Sequence, residues 1–192
     1  MSNQVTLETI AYQIDSDLRE VPDDLQTTLA YIENLETSAA REQDHYEQMK
    51  LYSELSFYCR IVMQLDEAER YAYSAIALAH DLLDKRTRLV NLIHLAQIYQ
   101  WSDAYIACDR ILEQVIDACE ASQDASRPER HNPFSDYLPL TYFSLGRSKF
   151  DQGDFAVASD LFQAALDVSE ESDDLDVYQY ALEIAQLRLT GL

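Results

Sequence analysis

Apolar side chains recur at helical spacing along most of the chain. Leu7, Ile10, Ala11, Ile14 and Leu18 form one stripe, and Leu25, Leu29, Ile32 and Leu35 form a second, separated by Val21-Pro22-Asp23-Asp24. Steps of three and four residues place side chains on one face of an α-helix. Each stripe therefore predicts an amphipathic helix, with Pro22 ending the first and Asp23 capping the second. Towards the other end, Val177, Tyr180, Ala181, Ile184 and Leu187 predict a last helix after the acidic turn from Glu170 to Asp174. About nine helices are expected in all. With only 3 Gly and 4 Pro in 192 residues, little material is left for the turns of a β fold, and the expected class is all-α.

Between the two ends the pattern repeats. Tyr142, Leu145-Gly146, Gly153-Asp154-Phe155, Ala158, Phe162 and Ala165 place small residues where two helices approach closely and large ones where the gap between them must be filled. A second register begins at Leu89, with Leu92, Leu95, Ala96, Tyr99, Tyr105, Cys108, Leu112 and Val115. A third begins at Met49, with Tyr52, Leu55, Ser56, Cys59, Leu65, Ala68, Ala72 and Ala75. The starts at Met49, Leu89 and Pro139 lie 40 and 50 residues apart, the extra six of the first interval falling in the stretch His80–Arg86.

These motifs resemble the tetratricopeptide repeat, a 34-residue helix–turn–helix unit, in the longer-period variant of kinesin light chain and bacterial peptide-pheromone receptors. The resemblance covers residues 49 to 172, and it departs from the family pattern at Lys149, which stands where a tyrosine is usual, and in the missing terminal prolines. It implies a right-handed α-solenoid of about three repeats that binds proteins or peptides on its concave face. The organisation expected is an N-terminal helical cap over residues 1–45, repeats over 46–172 with an insertion at about 121–136, and a capping helix over 173–192. The insertion reads either as a flap over one rim or as a disordered insertion.

Composition adds constraints. The formal net charge of −21 is spread along the chain, and such a field repels nucleic-acid backbones and anionic membranes, so neither is expected as a direct partner. The charge reads as solubility, or as attraction to a basic partner. Three cysteines are an odd number for a disulfide framework and suit a reducing cytoplasm, and neither a leader pattern nor a membrane-spanning apolar run is apparent.

Catalytic chemistry finds no support in the pattern. His45, His80, His94 and His131 are scattered without the His-x3-His spacing of a helical metal site, and no phosphate-binding glycine loop or nucleophile motif occurs. The protein is expected to be no enzyme and to need no cofactor or metal. The resemblance implies instead that inner positions of the repeats form a peptide site from Lys50, Phe57, Arg60, Gln97, Gln100, Trp101, Phe143 and Arg147, with Asp151 at a further inner position. Three bases among the 14 of an acidic chain, beside its only tryptophan, suit an acidic segment with an apolar anchor. The carboxylate clamp of chaperone-binding members is absent, because Ser53, Phe57, Leu140 and Ser144 occupy places it needs. The alternatives are a self-assembling structural protein, hence a homo-oligomer, or an accessory subunit of an enzyme or regulator.

Overall fold

A computed structural model describes residues 11–121, 134–169 and 175–191. Among them are eight α-helices: α1 (Leu25–Arg41), α2 (His45–Ile61), α3 (Leu65–Asp81), α4 (Lys85–Trp101), α5 (Tyr105–Ala121), α6 (Leu138–Asp151), α7 (Phe155–Val168) and α8 (Leu175–Thr190). A one-turn 3-10 helix, Ser135–Tyr137, leads into α6. Each helix packs on the next in order where the chain between them is described, and α4 also reaches α2 and α6. The all-helical, repeat-like body agrees with the sequence pattern.

The spacing of the helices explains the 40- and 50-residue intervals. Helices α1 to α5 are each 17 residues long, and their first residues, Leu25, His45, Leu65, Lys85 and Tyr105, stand 20 residues apart. The same step returns from Ser135 to Phe155 to Leu175. The repeat of 40 is thus two 20-residue units, and the interval of 50 carries ten residues more between α5 and the 3-10 helix. The stretch His80–Arg86 is the last turn of α3, a three-residue link and the start of α4. The longer period comes from longer helices, and no loop is inserted there.

Two devices set this step. Aspartates stand just before α1, α2, α4 and α7, where Asp24, Asp44, Asp84 and Asp154 accept hydrogen bonds from first-turn amides that have no helical partner. Asp24, one residue beyond the expected Asp23, is the cap of α1. At the other ends, Met63, Leu83, Asp103 and Gly153 hold positive φ of 64°, 58°, 58° and 79° in three-residue links. In each link the middle amide returns to a carbonyl three residues back and the following amide to one five back, as Met63 does to Arg60 and Gln64 to Cys59. This left-handed closure satisfies the last carbonyls and turns the chain sharply.

Apolar packing joins the helices into a stack. Ala68, Ala72, Ala75 and Ala79 of α3, and Cys108, Leu112, Val115 and Cys119 of α5, are fully or almost fully buried. A methyl added at Gly146 of α6 would lie 2.6 Å from the Phe162 ring of α7, so the Leu-Gly place exists to admit that ring. Lys149 extends to Asp109, 2.6 Å away, its stem partly buried as a lysine at an interhelical position allows. Helix α8 covers α7, with Tyr178, Ala181, Leu182 and Ala185 in the same apolar cluster as Ala158, Phe162 and Ala165. The buried face is turned from the stripe read in the sequence, since Tyr180 and Leu187 are exposed.

The first expected helix is corrected. Its described part forms a β-hairpin, β1 (Tyr12–Ile14) against β2 (Glu20–Pro22), antiparallel with Gln13 opposite Val21. Asp15 organises the connecting turn by accepting hydrogen bonds from the amides of Asp17 and Arg19, and Leu18 takes a φ of 57°. A helix would place Leu18 and Glu20 about 200° apart around its axis. The hairpin instead buries both against the stack. Residues 1–10, the expected insertion over 122–133 and the acidic turn at 170–174 lie outside the described residues.

Candidate functional site

Helices α2, α4 and α6 bring their C-terminal halves together around the hairpin. Arg60 stands next to last in α2, where the partial negative charge of the helix end favours a cation. Arg147 comes one turn before the end of α6, and Gln97, Gln100 and Trp101 from the last turns of α4. Both guanidiniums are fully buried, and both grip the carboxylate of Glu20.

The grip is bidentate on both sides. Arg60 donates from Nη1 to Oε2 at 2.9 Å and from Nη2 to Oε1 at 3.2 Å. Arg147 donates from Nη1 to Oε1 and from Nη2 to Oε2, both at 2.9 Å. Four charge-assisted hydrogen bonds use the full accepting capacity of one carboxylate. Burial pushes the Glu20 carboxyl up, but the attraction of Arg147 and then Arg60, with their hydrogen bonds, outweighs it and holds the group well below the usual carboxylate range.

Aromatic faces carry the cations. The Arg60 guanidinium lies 4.8 Å from the Trp101 ring centre and 5.2 Å from that of Phe57, and Arg147 lies 5.5 Å from that of Phe143. Ring quadrupoles in a desolvated place attract such cations. Arg19 also lies over Trp101, 5.4 Å from its ring centre, and pairs with Asp151 at 3.2 Å. Gln100 donates to the same carboxylate of Asp151 at 2.9 Å, and Gln97 donates to Ser144 at 2.9 Å. Burial raises the Asp151 carboxyl, against the pull of Gln100, Arg19 and Arg147. The imidazole of His94 is pushed down to about 4, by burial and then by Arg60, so it stands neutral beside the arginines.

Leu18 completes the seat. It is fully buried in the cluster of Phe143, Phe150, Phe162 and Tyr178. Tyr12 meets Phe57 edge to face at 5.6 Å. Two cavities flank the hairpin. One, of about 400 Å³, lies among Asp17, Arg19, Tyr105, Asp151 and Arg188, and the other, of about 220 Å³, lies among Tyr12, Glu20, Phe57, His94 and Phe143.

Seven of the eight residues expected at the concave face are thus brought together: Phe57, Arg60, Gln97, Gln100, Trp101, Phe143 and Arg147. Lys50 is not among them. It stays at the surface of α2, 2.8 Å from Glu47 and over the Tyr46 ring at 4.4 Å. Sequence reasoning missed Leu18, Arg19 and Glu20. The signal available was Asp15-Ser16-Asp17 followed by Val21-Pro22, a turn and a strand end that break the helical stripe.

Other chemistry is sparse. Burial pushes the thiols of Cys59 and Cys108 up to about 12 and that of Cys119 up to about 11, which leaves them protonated and inert. Among the described residues no three His, Cys, Asp or Glu side chains are grouped to hold a metal ion, and no helix is long and apolar enough to cross a membrane.

No protein-family model matches this chain, and neither does any curated protein or solved structure. The functional reading therefore stands on the geometry of the site.

Proposed function

We propose that this chain is a non-enzymatic peptide-binding module of the tetratricopeptide kind. In this reading its helices wind as a right-handed solenoid, it works in the cytoplasm, and it recognises an acidic segment of another protein on the inner face of α2, α4 and α6. The observation that carries the reading is the way the chain's own Leu18-Arg19-Glu20 is held. An apolar anchor sits in an aromatic pocket and a carboxylate lies between two buried arginines, the arrangement a recognition groove needs. The helices also bring two buried cations, Arg60 and Arg147, to this face of a chain of net charge −21.

Selection of a random peptide library on the full chain tests this. We expect acidic peptides with an aliphatic residue to be enriched, and the double variant Arg60→Gln/Arg147→Gln to bind them at least tenfold less tightly. Peptides that bind the double variant as well as the parent would move the site off the inner face. A second reading is self-association through exposed apolar residues such as Leu83 and Ile106, which are 84% and 88% exposed at opposite ends of α4. Light scattering separates the two: a stable oligomer abolished by Leu83→Lys/Ile106→Lys would support the second.

A further inference from the structure

Building on that reading, we infer that the hairpin of residues 11–22 is an internal competitor, and that the groove's external ligand is an acidic peptide bearing Leu-x-Glu on a reverse turn with a further carboxylate beside it. The ligand displaces the hairpin and takes over the seats of Leu18 and Glu20.

The seat itself defines the first part of this chemistry. Leu18 enters the cluster of Phe143, Phe150 and Phe162 while Glu20, two residues on, meets Arg60 and Arg147. The turn between the strands, held by Asp15, makes that pairing of depths possible. A partner entering the same groove meets the same demand for an aliphatic side chain and a carboxylate at that spacing.

The hairpin leaves part of the site unused. Nε of Arg60, Nε of Arg147, Nε1 of Trp101, Oε1 of Gln100 and Nδ1 of His94 are buried and have no hydrogen-bond partner among the described residues. Three of these are donors on side chains more than nine-tenths buried. Buried donors without partners are unfavourable, so a ligand with more acceptor oxygens than one carboxylate gains where the hairpin does not. The charge favours an acidic ligand, because Arg19 leaves with the hairpin while Arg60 and Arg147 remain in the groove, with Asp151 as the carboxylate held by Gln100. The cavities of about 400 and 220 Å³ on either side leave room for a segment larger than the hairpin.

The hairpin is also suited to leave. Its strands have three residues each, and an isolated two-stranded hairpin is marginal in water. Burying an Arg–Glu–Arg group is a poor route to stability, because desolvation offsets most of the attraction and an apolar plug would hold as well. What such a group supplies is selectivity, since only a carboxylate at that point silences both cations. Once the hairpin swings out, water reaches the arginines, so the open state has no stranded charge.

The test uses the full chain and a labelled synthetic peptide of residues 11–22. Leu18→Ser/Glu20→Gln should undock the chain's own hairpin and bind the peptide at least tenfold tighter than the parent does. The same peptide with Glu20→Gln should bind at least tenfold more weakly, and adding Arg147→Gln to the protein should abolish binding. A double variant that keeps its helical circular dichroism yet binds no tighter than the parent would overturn the inference. Hydrogen exchange on the unmodified chain is independent of any variant: excess peptide should speed exchange of the amides of residues 11–22 at least fivefold, and unchanged exchange would overturn it. Exchange of hairpins into a dimer, seen by light scattering, would replace the partner by a second copy and overturn it as well. If library peptides require Arg60 and Arg147 while hairpin exchange stays unchanged, the inner-face reading survives and the displacement alone fails.

Discussion

Helix α6 has two buried contacts of opposite character. Towards α7 it offers Gly146, against which the Phe162 ring closes, and the facing Ala158 and Ala165 are fully buried. Towards the hairpin it offers Arg147, equally buried, with four hydrogen bonds shared with Arg60 around one carboxylate. The first contact is apolar, local in sequence and tight, so a change in volume has nowhere to go. The second is polar, joins residues 40 and 127 positions apart, and has an exit, because the hairpin can leave and expose the cations to water. One contact holds the stack together; the other, in the function proposed, selects what lies in its groove.

Breaking the first contact should have the largest effect. Phe162→Ala removes a ring that is fully buried and should cost about 3–5 kcal/mol, and Ala158→Leu should overpack the same contact by about 1–3 kcal/mol. Gly146→Ala should fall in the second class, since its methyl would meet the Phe162 ring at 2.6 Å. Chemical denaturation of the three variants measures these values. If all three unfold like the parent, the α6–α7 packing described above is wrong.

Breaking the second contact should cost less than its burial suggests. Removing one partner of a buried ion pair is worth about 3–5 kcal/mol where the other stays buried. For Glu20→Ala we expect a loss clearly below that range, with the helical melting curve nearly intact and faster amide exchange confined to residues 11–22. A loss in the full range, with the helices melting together, would make the hairpin an integral strut.

Acidity sharpens the comparison further. His94, pushed down to about 4 in the fold, takes up its proton near pH 6.5 in the unfolded chain, so stability falls as pH drops from about 6.5 to about 4. Glu20 has a depressed folded pKa, so its contribution is present above its ordinary value of 4.5 and lost as pH falls below it. Asp151, raised in the fold, acts in the opposite direction at the acid end. Melting temperature against pH should therefore decline below about 6.5, with the upper part of the slope flattened in His94→Gln and the lower part in Glu20→Gln. A flat profile in the parent would mean that the groove groups do not titrate with folding.

The smallest effect is expected in a link between helices. Leu83 holds φ at 58° and is 84% exposed, so Leu83→Gly removes backbone strain without removing burial and should stabilise the chain by about 1 kcal/mol. A melting temperature that fails to rise would mean that the leucine is held by contacts elsewhere.

Most of the helical body was legible from local chemistry. The recurrence of small residues at Ala68, Ala72, Ala75, Gly146 and Ala158, and of large ones between them, reports helix contacts between neighbours in sequence, and the structure places these residues at such contacts. The 20-residue step is also written in the chain, in Asp24, Asp44 and Asp84 that cap α1, α2 and α4, beneath the 40-residue interval of the apolar pattern. Arg60, Gln97, Gln100, Trp101 and Arg147 were legible as one surface through the family resemblance, which assigns those repeat positions to one side, and the structure brings them together around Glu20 and Asp151. Lys50 was not drawn in, since it lies on the early part of α2, away from the C-terminal halves that meet at the hairpin, and pairs with Glu47.

What occupies that surface was decided only by tertiary structure. Ile14 and Leu18 carry a helical spacing that fits a strand and turn equally well over so few residues, and the choice rests on what Leu18 and Glu20 meet. Apolar periodicity indicates the buried side of a helix where it packs on its neighbours in sequence, though even there α8 turns its buried face from the stripe. A carboxylate's partner has no such signature. Among 35 acidic and 14 basic residues, the pairing of Glu20 with Arg60 and Arg147 emerges only when three distant segments converge and exclude water.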